Sequence, residues 1–164
     1  MKRLAAVVLV VGLTIAVQAS APWSTFTSPE GRFTVKFPLA PEATSMCSPS
    51  PLGQITTYLF TSKYQQGSYT VTYSDLPRAA VVFAKGRIFD DTRAEILRDA
   101  GAQTSTWNDV GKFGEGREMR YQGSEDEGLC HIHLVRNRLY VIDARCKTGT
   151  PQTETDVFFS SLKI

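Results

Sequence analysis

The sequence predicts an α+β fold in which an antiparallel β-sheet of about six to eight strands is flanked by helices. Three observations support it. Segments in which apolar and polar residues alternate, as in strands with one buried face, occur before and after a helical segment. Short turn clusters, such as the serine, proline and glycine residues at 48–53, lie between strand segments. The chain then closes with a second, shorter helical segment.

The first half of the chain is predicted to consist of strands. After a polar lead at 20–29, apolar and polar residues alternate at 33–37 until Pro38 stops the strand. A cluster of serine, proline and glycine at 48–53 predicts a turn. The other strands expected in this half are at 42–47, 54–62 and 68–75.

The clearest helical pattern lies at 87–100. Its apolar side chains form one stripe, and Gly101 follows at the position of a C-terminal cap. The preceding residues are a connector, in which the apolar stretch 79–84 either packs under a lid or begins a helix. The remaining elements expected are strands at 103–107 and 117–122, a hairpin at 128–147 and a closing helix after Pro151.

The hairpin at 128–147 contains both histidines and two of the three cysteines. Alternation places Cys130 with the apolar row of the first strand and Cys146 with the apolar row of the second. Both apolar rows consist of even-numbered residues. If both rows cover one core, even-numbered residues lie opposite each other, and the two numbers of each directly opposite pair add to an even total. A two-residue turn at Asn137-Arg138 gives an odd total and is excluded, so a three-residue loop or a bulge is predicted.

Two registers satisfy this condition. In the first, Cys130 lies opposite Cys146 and His133 opposite Asp143; in the second, Cys130 lies opposite Ala144. Directly opposite Cβ atoms are about 4.5–5.5 Å apart, so the first register favours a Cys130–Cys146 disulfide. Both registers place the cysteines inside and the histidines outside. A bridge from Cys47 to either cysteine, or three buried thiols, are the alternatives.

The N-terminus predicts export. Lys2 and Arg3 precede an apolar run that ends at Val17, and Val17 and Ala19 are small residues at the minus-three and minus-one positions of a cleavage site. Residues 1–19 are therefore expected to be a signal peptide cleaved after Ala19, with a single domain at 20–164. The run is shorter than a membrane span, so no stable membrane insertion is expected after cleavage. The periplasm or the extracellular space is the expected location.

Charge and motifs exclude several function classes. The formal net charge is +2, and removal of Lys2 and Arg3 leaves zero, so no nucleic-acid partner is expected. Gly114-x-Gly116 lacks the lysine and the following helix of a phosphate loop, and no cofactor is predicted. Ser124 does not lie in a nucleophile elbow. We therefore expect no catalytic residue, and a protein that is not an enzyme.

The two histidines are the sharpest chemical feature. His131 and His133 share one face of a strand, and Asp143 could add a carboxylate in the first register, which makes a metal site conceivable. A polar sheet face with cross-strand contacts is the alternative, and the pattern favours it. Cys130 and His131 are neighbours on a strand and point to opposite faces, so they cannot form a nucleophile–base pair.

Several short motifs occur in a definite order along nearly the whole chain after the signal peptide. They are F-x-S-x-E-G-R-F-T-V-x-F-P at 26–38, YTVTYSD at 69–75, the helix at 87–100, Gly116-Arg117-Glu118, Arg138-Leu139-Tyr140-Val141 and FFSSLKI at 158–164. Their order resembles that of small exported bacterial proteins of uncharacterised function. Such proteins are similar to the PsbP-like and Mog-type fold, an antiparallel sheet flanked by helices.

This resemblance implies a function class and no site residue. Members of the fold include an extrinsic photosystem II subunit and a Ran-binding protein, and most act as accessory or binding proteins. We therefore expect a non-enzymatic, exported binding or accessory module of the cell envelope, whose partner is a protein or a small apolar ligand. The alternatives are a metal-binding protein that uses His131 and His133, and a structural subunit of an envelope assembly. The oligomeric state stays open.

Overall fold

The computed structural model describes residues 23–50, 53–150 and 153–164, so the expected signal peptide lies outside the described residues. These residues form nine strands and two helices. In chain order they are β1 Ser24–Ser28, β2 Phe33–Phe37, β3 Glu42–Ser50, β4 Gly53–Tyr64, β5 Gly67–Asp75, α1 Arg78–Ala100, β6 Gln103–Asp109, β7 Glu115–Gln122, β8 Asp126–Val135, β9 Arg138–Lys147 and α2 Thr153–Ser161.

Seven of the strands form one antiparallel sheet in the order β3-β4-β5-β9-β8-β7-β6. The first two strands form a separate antiparallel pair. The strand predicted at 33–37 is β2, whereas β1 lies in the segment for which only a polar lead was predicted. The α+β fold with a flanked antiparallel sheet is therefore confirmed. The edges of the large sheet are β3 and β6.

Both faces of the large sheet are covered. The first, here called the α2 face, packs against the β1–β2 pair and α2, and a backbone bridge from Thr34 to Lys163 joins these two covers. The second, the α1 face, packs against α1 through Phe89 and partly buried neighbours. Strands in the middle of the sheet therefore contribute alternate side chains to two hydrophobic cores.

The register of the β8–β9 hairpin differs from both expected registers. Val135 pairs with Arg138 across a two-residue turn at Arg136-Asn137, and Arg136 adopts a positive φ of 59°. Cys130 consequently lies opposite Asp143, so the residue numbers of opposite pairs add to an odd total. The exclusion of a two-residue turn was wrong because it assumed one covered face. With both faces covered, the two apolar rows can lie on opposite faces.

The expected Cys130–Cys146 disulfide is also wrong. In this register Cys146 lies opposite Glu127, and the two cysteines are on opposite faces of the sheet. Cys130 belongs to the core of the α1 face, whereas Cys146 is buried on the α2 face. Both are free thiols, and so is Cys47, which is exposed on β3.

Helix α1 begins nine residues before the predicted segment, at Arg78 instead of residue 87. The apolar stretch 79–84 begins the helix, which was one of its two expected roles. The helix is kinked at Ala84, where φ is −134° and ψ is 24°, and it ends as predicted at Gly101 in the left-handed conformation. Within the described part of the chain, no helix combines the length and the apolar character that a membrane span requires.

Candidate functional site

An apolar groove lies between α1 and the tip of the β3–β4 hairpin. Residues 53–56 of β4 pair with β3 and not with β5, so the tip of the hairpin extends past the neighbouring strand. Ile55 on this tip lines the groove together with residues of α1 on both sides of its kink. The groove has a volume of about 450 Å³. Its apolar lining consists of Ile55, Leu76, Pro77, Ala80, Ala84, Ile88 and Leu139.

The rim of the groove is polar and comes mostly from α1. Arg87 and Asp91 form an exposed pair one turn apart, with 3.3 Å between the guanidinium nitrogen and the carboxylate oxygen. Thr92 donates a hydrogen bond from its hydroxyl group to the carbonyl of Ile88. Glu95 adds a second carboxylate to the rim. The groove therefore offers an apolar floor with charged groups along one side, which is suited to binding.

The first part of α1 exposes two large apolar side chains between Ala80 and Ala84, two residues that line this groove. Val82 is 71% exposed and Phe83 is 87% exposed, and neither lines the groove. The kink at Ala84 separates them from the part of α1 that buries Phe89. Lys85, directly after the kink, binds Glu115 at the start of β7. Single exposed apolar residues are common, but two beside an apolar groove indicate an interaction surface.

His131 forms a pair with Glu118 on the α2 face. The two residues lie opposite each other on β7 and β8, with 3.0 Å between His131 Nε2 and Glu118 Oε2. The ring of Phe159 from α2 lies over the imidazole, at 4.3 Å between centroids. Burial lowers the pKa of His131, and the neighbouring Glu118 carboxylate opposes that effect. The pair is a cross-strand contact on a half-buried sheet face.

His133 is buried, contrary to the expectation that it lies outside. Its side chain is 1% exposed, and neither ring nitrogen has a hydrogen-bond partner among the described residues. Burial lowers its pKa to about 4, with smaller contributions from the charges of His131 and Lys112. The imidazole is therefore neutral at physiological pH. It packs edge-on against Phe113, and a side chain at Gly116 would collide with it.

The candidate metal set is not brought together. Asp143 lies opposite Cys130 on the α1 face, and the two histidines lie on the α2 face. The backbone of the sheet therefore separates the carboxylate from both imidazoles. Among the residues that the structure describes, no three histidine, cysteine or acidic side chains are grouped so that they could hold a metal ion.

Asp143 instead belongs to a polar chain on the α1 face. The Tyr121 hydroxyl group donates to both of its carboxylate oxygens, at 2.8 and 3.0 Å, and Arg145 Nε donates to the Tyr121 oxygen at 3.2 Å. Burial raises the pKa of Asp143 to about 6, against the opposing effects of Tyr121 and Arg145. The same burial holds the pKa of the Cys130 thiol well above its usual value, so Cys130 is not an activated nucleophile.

Comparisons with known proteins bear on the fold. No protein-family model matches the chain, and no curated protein matches it. Among solved structures, it is similar to the solution structure of cyanobacterial PsbP (CyanoP) from Synechocystis sp. PCC 6803, with a TM-score of 0.60 and 12% sequence identity. The similarity covers 93% of this chain and 98% of that protein.

At 12% identity, this likeness shows the fold alone. It agrees with the PsbP-like part of the resemblance found in the sequence. The Mog-type part, and the likeness to small exported bacterial proteins, stay predictions. The chain has a PsbP-like α+β fold.

Proposed function

We propose that this chain is an exported, single-domain binding module without catalytic activity, which holds a protein partner in the groove beside α1. The observation that carries the proposal is the juxtaposition of the apolar groove with exposed Val82 and Phe83. The expected signal peptide at 1–19 supports export. The position of Cys130 and His131 on opposite faces supports a role without catalysis.

A protein fits this surface better than a small apolar ligand. A small molecule that fills the groove would leave Phe83, which is outside its lining, in contact with water. A protein partner can insert an apolar side chain between Ile55 and Ile88 and cover Val82 and Phe83 at the same time. Its polar groups would meet Arg87 and the two carboxylates of the rim. Interfaces of this kind have an apolar centre and a polar border.

The first experiment identifies the partner by position. A photoreactive phenylalanine analogue is introduced at Phe83, and at Leu39 as the control, because Leu39 is also exposed and lies outside the groove. Each protein is exported in its native cell and irradiated, and the cross-linked products are identified by mass spectrometry. We expect a protein product that is specific to position 83. Equal products at both positions would contradict the proposal.

Substitution then measures the contribution of Phe83 to binding. Phe83→Ser is expected to weaken binding of the purified partner about 30-fold, as for an interface hot spot of about 2 kcal/mol. Leu39→Ser is the matched control and should bind as the original chain does. Both side chains are exposed, so neither change should alter the free energy of unfolding by more than about 0.5 kcal/mol. Unchanged partner binding by Phe83→Ser would overturn the proposal. Cross-linking of one envelope protein at both position 39 and position 83 would instead support a structural subunit of an envelope assembly.

A further inference from the structure

The two edges of the large sheet differ in how they are protected. On β6, pairing with β7 is interrupted by a bulge between Thr104 and Thr106, and the strand ends at Asp109, which binds Arg117 at 2.8 Å. Bulges and charges are features that prevent further strands from pairing with an edge. On β3, pairing with β4 is regular over all nine residues from Glu42 to Ser50.

The β3 edge has few of these protecting features. It is exposed from Glu42 to Pro49, and Glu42 is its one charged residue. Pro49 lacks an amide hydrogen and interrupts donation near the tip. Between these two lie six small or flexible uncharged residues, with Met46 59% exposed. They are Ala43, Thr44, Ser45, Met46, Cys47 and Ser48. This stretch presents backbone donors and acceptors to a further strand.

We infer that the β3 edge is an interface between two copies of this chain. The two strands would pair antiparallel about a two-fold axis, so that one sheet continues through both copies with seven strands from each. A second copy suits this edge because the paired stretch carries no charge that would repel its own image. In an antiparallel pair, the two Glu42 side chains lie at opposite ends. This interface is distinct from the groove beside α1, and the inference does not rest on the proposed function.

Cys47 provides an independent observation near the middle of β3. Its thiol is exposed and makes only long contacts, at 3.5 Å to Gln54 Oε1 and 4.0 Å to the Thr56 hydroxyl oxygen. A two-fold axis at Cys47 pairs the stretch from Thr44 to Ser50 with its own image, with Pro49 opposite Ser45. It places the two thiols directly opposite, with Cβ atoms about 4.5–5.5 Å apart, close to disulfide geometry. Cys130 and Cys146 are buried and cannot bridge two copies. Cys47 is therefore the one free thiol of the described residues that is exposed and able to join two copies.

The first test measures mass in solution. We expect the purified full-length protein to sediment as a dimer under reducing conditions, because the pairing is not covalent. Ser45→Lys places a like charge on both copies near the axis and is expected to weaken dimerisation at least about tenfold. Gln103→Lys, on the opposite sheet edge, is the matched control and should dimerise as the original chain does. A monomer at all concentrations, or equal effects of both lysines, would overturn the inference.

The second test uses Cys47 as a reporter. Oxidised glutathione is added: its disulfide breaks, an Sγ–Sγ bond forms between the two Cys47 thiols, and their two protons end on two glutathione thiols. We expect a dimer on a non-reducing gel, none with Cys47→Ser, and an unchanged sedimenting dimer for Cys47→Ser. Cross-linking that persists in Ser45→Lys at equal rate would contradict pairing through β3. The inference would also be overturned if the chain is a monomer and β3 instead pairs with an extended segment of another protein.

Discussion

Replacing Gly128 by alanine is expected to destabilise the chain by about 3 kcal/mol. A Cβ atom at this position would collide with the ring of Tyr121, which lies directly over the glycine on the neighbouring strand. The ring cannot move aside freely because its hydroxyl group donates to Asp143 and accepts from Arg145. The variant therefore either strains the sheet or leaves the buried carboxylate without its donor.

Urea unfolding measures this loss, and Gly86→Ala is the matched control. Gly86 lies in α1, and a Cβ atom added there would meet no other part of the chain within 4 Å, so alanine should stabilise the helix by up to about 1 kcal/mol. The two substitutions add the same methyl group and should differ in sign. In a Tyr121→Leu background, most of the cost of Gly128→Ala should disappear. Equal effects of the two glycine substitutions would show that Tyr121 is not held in place.

The contributions of His133 and Asp143 to the pH dependence of stability are expected to mask each other in the original chain and to become visible in two variants. The folded-state pKa of His133 is about 4, below its ordinary 6.5, so the folded chain binds fewer protons and its stability increases from pH 4 to 6.5. The folded-state pKa of Asp143 is about 6, above its ordinary 3.8, so its contribution decreases over nearly the same window. Each effect amounts to about 3 kcal/mol, and they oppose each other.

Urea unfolding at several pH values separates the two groups. Asp143→Asn keeps an oxygen acceptor for Tyr121 and removes the titration, so stability should increase by about 3 kcal/mol between pH 4 and 6.5. His133→Phe keeps a ring at the site, and stability should instead decrease by a similar amount as the pH increases from 4 to 6. If Asp143→Asn shows a flat profile, His133 is not held neutral by its burial.

Most elements of the fold could be predicted from the sequence, because hydrophobic periodicity and turn residues determine local structure. The alternation at 33–37 and 68–75, and Gly101 after the helical stripe, correspond to β2, β5 and the end of α1. The hairpin register could not be obtained in the same way. Alternation says which residues share a face, but only the full structure shows that both faces are covered.

Only one side of the proposed binding surface could be predicted from the sequence. The apolar stretch at 79–84 was a signal, and it supplies Ala80, Ala84 and the exposed Phe83. Its counterpart, Ile55, was predicted as an ordinary strand residue. Its role depends on the extension of the β3–β4 tip past β5, which is a matter of strand lengths in space. The place of Asp143 beside Tyr121 depended on the hairpin register and was missed with it.

The packing of both faces of the sheet also determines how the chain unfolds. Strands β8 and β9 supply alternate side chains to both cores, for example Cys130 to one and Ile142 to the other. Neither core can lose its packing while these two strands stay in place, and the strands cannot separate without opening both cores. Thermal unfolding should therefore disrupt both hydrophobic cores together, in one cooperative transition.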